Sequence, residues 1–288
     1  MEPTTIVLLG LAPGLFWLWI FVRANRQRPD PLVLVIRSFL LGILSAVPIV
    51  VASLLIDGGD AGGTQDLAGI VFTSFVVAGL VEEVGKYLVV RLSLGDSPYL
   101  DEPLRGLVYA AAVALGFASI ENIGYMLMAG PEVLEQRALL STVGHVADSS
   151  LWGYGLGADR LARAEGRPVR GYAFLGLLGS IVLHGVYDTG AFAERLDWTL
   201  AAFACGVALC IALFVRANRR SIHRGRRGAR QIRCPSCQTL CSLGKRFCTS
   251  CGTALPSQAP VLCGRCHEPI DSRAAFCIHC GAHQETEL

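Results

Sequence analysis

Residues 78–90 read AGLVEEVGKYLVV, an apolar run with Glu82, Glu83 and Lys86 set inside it. The flanking residues extend the run over 67–90. A membrane-crossing helix needs about 20 residues at 1.5 Å rise each, so the run is long enough to span. A charge at the bilayer centre costs on the order of 3 kcal/mol even on lenient insertion scales. This helix therefore cannot face lipid all round, and its charges must meet partners or water. Glu82 and Lys86 are i,i+4 and share a face. Glu83 projects about 100° away from Glu82, so one acid can face a cavity while the other orients a neighbour.

Six further apolar stretches complete the pattern, at about 4–22, 32–56, 105–128, 138–158, 171–193 and 197–215. Over the 288 residues, 52% are apolar, 17% are charged and the mean hydropathy is +0.49. Soluble domains carry nearer a quarter charged residues. The composition excludes an ordinary soluble enzyme, a disordered chain and a disulfide-rich secreted module. The fold class expected for the part that holds these stretches is an all-α polytopic membrane bundle of about seven transmembrane helices, with a small separate C-terminal domain. The net charge of +2 hides segregation. Connections rich in Arg (Arg23, Arg26 and Arg28; Arg91 and Arg105; Arg160, Arg163, Arg167 and Arg170; Arg216, Arg219 and Arg220) alternate with poor ones. The 57–66 connection holds only Asp57, Asp60 and Asp66, and the two later poor ones have single residues, Arg137 and Arg195. Basic residues favour the cytoplasmic side. The expectation is an N-terminus outside and a C-terminus in the cytoplasm, in a bacterial plasma membrane.

Three more spans hold ionisable or amide groups away from their ends: Glu121 and Asn122, then His145 and Asp148, then His184 and Asp188. His145 and Asp148 are i,i+3, and His184 and Asp188 are i,i+4, so each pair shares a helix face. Glu121, His145 and His184 fall about 3–7 Å to the outer side of mid-span and Glu82 about 5 Å to the inner side, which points to one midplane cluster with a slight outward bias. Imidazole and carboxylate together suit a divalent ion, and Glu121, His145 and His184 form one such ligand set. Glu82 or Glu83 then takes a proton from water. A metal-free site is equally coherent, with Glu82 activating water and His and Asn groups stabilising the oxyanion. Each also has a plainer role: Lys86 neutralises Glu82, Asp188 orients His184 and Asp148 joins helices by a hydrogen bond, while Asn122 either packs helices or contacts substrate.

The order EExxK (Glu82, Glu83, Lys86), FAxxEN (Phe117, Ala118, Glu121, Asn122) with Tyr125, a single His on the next span (His145) and HxxYD (His184, Tyr187, Asp188) resembles the PrsW family of intramembrane proteases. That family is related to the CAAX-protease and bacteriocin-processing superfamily. The resemblance covers about 1–217. It implies hydrolysis of a peptide bond in a membrane-anchored protein, including first-site cleavage of an anti-sigma factor under envelope stress. The family's essential acids match Glu82, Glu83 and Glu121.

Beyond a basic linker, 218–233, the pattern repeats every 29 residues. Cys234, Cys237, Cys248 and Cys251 recur as Cys263, Cys266, Cys277 and Cys280, and Phe247 recurs as Phe276. Each CxxC sets two thiolates on one turn, and two such turns complete a tetrahedral sulfur site. The segment resembles a double zinc ribbon (234–252 and 263–281) holding two structural zinc ions, followed by a tail, 282–288. Cys241 has no counterpart, Ile270 standing in its place, and reads as a buried thiol; His267 and His279 read as exposed. The partners expected are the lipid bilayer, a membrane-anchored protein substrate and a cytoplasmic protein bound by the ribbons; nucleic acid is not indicated. The competing functions are a catalytically silent scaffold acting through its ribbons and an ion transporter.

Overall fold

The computed structural model describes residues 1–24, 30–56, 66–95, 97–221, 231–242, 247–248, 250–255, 261–262, 265–266, 269–270 and 280. Arg26, Arg28, Asp57, Asp60, Cys263, His267, Phe276, Cys277, His279 and the stretch 222–230 lie outside them. The chain divides into two units, Met1–Arg224 and Gly225–Leu288.

The described part of the first unit is seven helical rods. These are α1 (Pro3–Ala24), α2 (Leu32–Ile56), α3 (Leu67–Leu94), α4 (Pro103–Ala129), α5 (133–164), α6 (Tyr172–Phe192) and α7 (Leu196–Arg220). A π-helical stretch, Thr73–Leu80, lies inside α3 just before Glu82, and a π-helical turn, Arg137–Ser141, lies inside α5 just before His145. Such bulges are common beside functional sites because the extra residue re-aims the side chains that follow.

Six rods are long and apolar enough to cross a membrane. The exception is α5, expected to span at 138–158. Its buried face carries Thr142, His145, Asp148, Ser149, Ser150 and Asp159. Those polar groups lower its average hydropathy because they point into the bundle, not toward lipid.

The central helix is α4, packed on α1, α2 and α5 and buried along most of its length. Its small residues allow this. A Cβ on Gly106 would lie 2.0 Å from the carbonyl oxygen of Gly153, and one on Gly153 would lie 2.5 Å from the Ala110 Cβ. Gly153 and Gly157 thus serve close packing of α5 on α4, and Gly155 lets α5 approach the start of α6 at Tyr172, which is how membrane helices gain contact without a hydrophobic driving force between them. Outward-facing apolar residues such as Leu8, Leu44, Leu55 and Leu92 stay exposed, as a lipid-facing surface requires.

Polar ties fix the helix ends. Asp159 on α5 accepts from the backbone N–H groups of Tyr172 and Ala173 at 3.1 and 3.0 Å, capping the start of α6 from a neighbouring helix. Arg105, counted above as a topology charge, is buried and ion-paired with Asp30 and Asp101, while the Tyr109 hydroxyl donates to Asp30 at 3.0 Å. In the second unit, β1 (Gln231–Arg233) pairs antiparallel with β2 (Leu240–Ser242), and β3 (Val261–Leu262) with β4 (Pro269–Ile270).

Candidate active site

The acids and histidines of α3, α4, α5 and α6 meet at one place. A cavity of about 60 Å3 is lined by Glu82, Glu121, Tyr125, Arg137, Ser141, Gly144, His145, Asp148, His184, Tyr187 and Asp188, among others. A water needs roughly 10–15 Å3 on this measure, so the cavity admits several. Its lining draws on the last turns of α4 and α6 and the first turns of α5, so it lies toward that end of the bundle.

The two adjacent glutamates differ in every respect. Glu83 is fully buried. One of its carboxylate oxygens accepts from Ser149 at 2.9 Å, Trp152 at 2.9 Å and Ser180 at 2.7 Å. The other accepts from Lys86 at 2.9 Å and lies 3.3 Å from His184 Nδ1. All of its acceptor capacity is used. Glu82 lines the cavity, and of its two oxygens only Oε2 meets the Lys86 ammonium, at 3.1 Å.

Lys86 is the hub. Its ammonium donates to Glu82, to Glu83 and, at 3.0 Å, to His145 Nδ1, and it sits 4.3 Å from the centre of the Phe117 ring. Because Lys86 donates to Nδ1, the proton of neutral His145 belongs on Nε2, which lies 2.5 Å from Glu121 Oε2. Glu121 also meets Arg137 Nη2 at 3.3 Å. His184 Nε2 lies 3.3 Å from Asp188 and 3.8 Å from Glu82. The Asn122 amide accepts from Arg137 Nε at 2.9 Å and donates to Thr142 at 3.1 Å. Asp148 is buried at the cavity wall.

The compact metal-type donor group differs from the expected one. Glu82, His145 and His184 offer atoms within 4.8 Å of one another. Glu121 is replaced by Glu82 in that group because Glu121 lies on the Nε2 side of His145, drawn toward Arg137. Two imidazoles and a carboxylate are the donor kinds of a divalent-metal site, so these residues fit such an ion in chemistry.

Several groups in and behind the cavity wall were not legible in the sequence. Arg137 read as a loop charge, yet its guanidinium stacks 3.8 Å from the Tyr125 ring centre and braces Glu121 and Asn122. Ser149, Trp152 and Ser180 read as ordinary helix residues. A buried carboxylate demands donors, and that was the one available signal that small polar residues on neighbouring spans matter.

In the second unit, Cys234, Cys237, Cys248 and Cys251 form a four-thiol group. Two like turns build it. Gln238 N donates to Cys234 O and Gly252 N to Cys248 O, both at 2.9 Å, with Gln238 and Gly252 at φ of 59° and 74°. Hydrogen bonding with the Thr239 hydroxyl and backbone holds the Cys237 thiol down to about 6, and Thr253 likewise lowers Cys251, while burial and neighbouring thiols push Cys234 and Cys248 up. Cys241 is buried beside the group. Of the second set, Cys263 and Cys277 lie outside the described residues.

The sequence model of the PrsW family of intramembrane metalloproteases matches residues 30–217, and that of the double zinc ribbon matches 234–281. Protease PrsW of Bacillus subtilis (strain 168) is 33% identical over 183 residues, 64% of this chain and 81% of that protein. Protease PrsW of Geobacillus kaustophilus (strain HTA426) is 35% identical over 200 residues, 69% of this chain and 85% of that protein. Protease PrsW of Clostridioides difficile (strain 630) is 34% identical over 192 residues, 64% and 77% of the two chains. No solved structure matches the chain. With its membrane helices, its buried acid–histidine cavity and these matches, the chain belongs to the PrsW family of intramembrane metalloproteases and carries a double zinc ribbon after its membrane part.

Proposed function

We propose that the cavity hydrolyses a peptide bond of a membrane-anchored protein, with Glu82 as the group that activates water. The observation that carries this reading is the contrast within the Glu82–Glu83 pair. Glu82 faces a cavity with room for several waters and has oxygen capacity to spare, whereas Glu83 is saturated by five partners. Glu82 takes the proton from water and passes it to the leaving amine. The Arg137 guanidinium is the cavity donor nearest to hand for a developing oxyanion. Glu121 takes the His145 Nε2–H and so fixes that ring's tautomer and setting, and Asp188 orients His184. Glu83 and Lys86 are positioning residues that fix both histidines and Glu82. Asn122 and Asp148 brace the walls. Gly144 leaves room for substrate backbone, since a Cβ there would meet nothing within 4 Å.

A divalent ion, when bound, would be held by Glu82, His145 and His184, with the Lys86 ammonium giving up its bonds to Glu82 and His145, and would polarise the scissile carbonyl or its attacking water. Glu121 is then the cavity carboxylate left to move the proton.

The Arg-rich connections support an N-terminus outside and a cytoplasmic tail in a bacterial plasma membrane. In that orientation the cavity lies toward the outer side, opposite the end at which α7 finishes with Arg219 and Arg220. This suits first-site cleavage of an anti-sigma factor or a similar envelope-stress regulator. The working division is a protease domain over 1–217, a basic linker over 218–233 and ribbons over 234–281 that bind two zinc ions and a cytoplasmic protein. The test is release of a membrane-tethered peptide by purified protein. Glu82→Gln is expected to abolish release while the protein stays folded. Full activity in that variant overturns the mechanism.

A further inference from the structure

The first ribbon contains five thiols, not four. The Cys241 sulfur lies 3.5 Å from the sulfur of Cys248, and Cys248 is likewise 3.5 Å from Cys237. Cys248 therefore stands between a fellow ligand and a sulfur that belongs to no ligand pair. Cys234, Cys241, Cys248 and Leu255 form the small core of this ribbon. In the second ribbon Ile270 occupies the equivalent place: Cys241 pairs with Ile232 in the first strand pair, and Ile270 with Val261, each 29 residues on. The molecule thus carries its own control, one ribbon with the fifth thiol and one without.

We propose that Cys241 is an oxidation site: a hydroperoxide converts Cys241 and Cys248 to a disulfide, and the first ribbon loses its zinc while the second keeps its own. The proposal rests on the reading of these thiols as zinc ligands. The Cys248 sulfur attacks the O–O bond of hydrogen peroxide, forming a sulfenic acid and releasing one water after protonation. The Cys241 sulfur then attacks the Cys248 sulfur and expels the second water. Two thiols give two electrons and two protons, and one peroxide becomes two waters. Peroxide is nearly water-sized, and the rim of the cluster is open at Cys237 and Cys251. A disulfide between two ligands breaks two zinc–sulfur bonds, whereas Cys241–Cys248 breaks one. That difference makes the five-thiol ribbon the more easily oxidised of the two.

The plain alternative is that Cys241 only fills core volume beside Cys234, Cys248 and Leu255. Zinc-loaded full-length protein in detergent separates the two. It is treated with graded hydrogen peroxide, zinc release is followed with a chromogenic chelator, and disulfides are mapped by mass spectrometry after alkylation and trypsin. The wild type is expected to lose one zinc equivalent in an early phase. The same phase should join the tryptic peptide 234–245 to 247–265 through Cys241 and Cys248. Cys241→Ile, which installs the second ribbon's residue, and Cys241→Ser should each bind two zinc ions and lose the early phase. Ile270→Cys should make the second equivalent leave early too. An early phase unchanged in both Cys241 variants, or linkages confined to the four ligands, overturns the proposal. Absence of zinc before oxidant is added overturns the ribbon reading itself, and the proposal with it.

Discussion

The membrane cavity and the first zinc ribbon both gather ligand-type side chains into one small volume, but they do it over different lengths of chain. The ribbon brings Cys234, Cys237, Cys248 and Cys251 together within eighteen residues, through two local turns closed by backbone hydrogen bonds. The cavity brings Glu82 on α3, Glu121 on α4, His145 on α5 and His184 on α6 together across about a hundred residues. No local turn does that work; helix packing does, assisted by the Gly106–Gly153 contact and by Lys86. The ribbon's order should depend on its metal, and the cavity's on its bundle.

Metal removal is the strongest way to break this comparison. Structural zinc contributes on the order of 10 kcal/mol to the folding of such small modules. A strong chelator is expected to open 231–281 to proteases while the helical circular dichroism of the bundle stays unchanged. A bundle that melted with the tail would refute the independence of the two regions. Next in size is Glu82→Gln. Loss of a general base costs about 10²–10⁴ in rate. The variant should keep a near-wild-type melting temperature, so activity and stability should separate. Glu83→Ala should do the reverse in emphasis. Removing one partner of a buried ion pair costs roughly 3–5 kcal/mol, and here it strands Lys86 and frees Ser149, Trp152 and Ser180. Thermal unfolding in detergent should show the drop, with activity falling because His184 and Lys86 lose their anchor. The smallest effect sharpens the picture of helix docking. Asp159→Ala removes the cap on α6 and should cost about 1 kcal/mol, seen as a modest melting shift with catalysis retained.

The sequence made some of this architecture legible because its signals are one-dimensional. Apolar length marks a span, and the 29-residue repeat marks the ribbon, since each pair of thiols three positions apart sits on one local turn. The misplaced charges announced a cavity because lipid cannot solvate them. Other parts were hidden. Glu82 and Glu83 are adjacent and chemically alike, and periodicity alone does not say which faces the water. Arg137 passed for a loop charge because a flank residue and a cavity residue look the same in composition; in the structure it opens the π turn Arg137–Ser141 and donates to Glu121. The donor triad came out as Glu82, His145 and His184, with Glu121 set aside on the other nitrogen of His145. That choice rests on which face of α5 each neighbour touches.

By itself the sequence determined that this chain is a polytopic membrane protein with a PrsW-type constellation and a Cys-rich tail, because span length, buried-charge cost and ligand spacing are properties of residues along a line. Only the tertiary structure decided which carboxylate meets the cavity, which proton His145 keeps and where Lys86 stands among the acids. Those depend on the angular setting of four helices about their axes, and a sequence fixes the face each residue shares without fixing what that face is packed against.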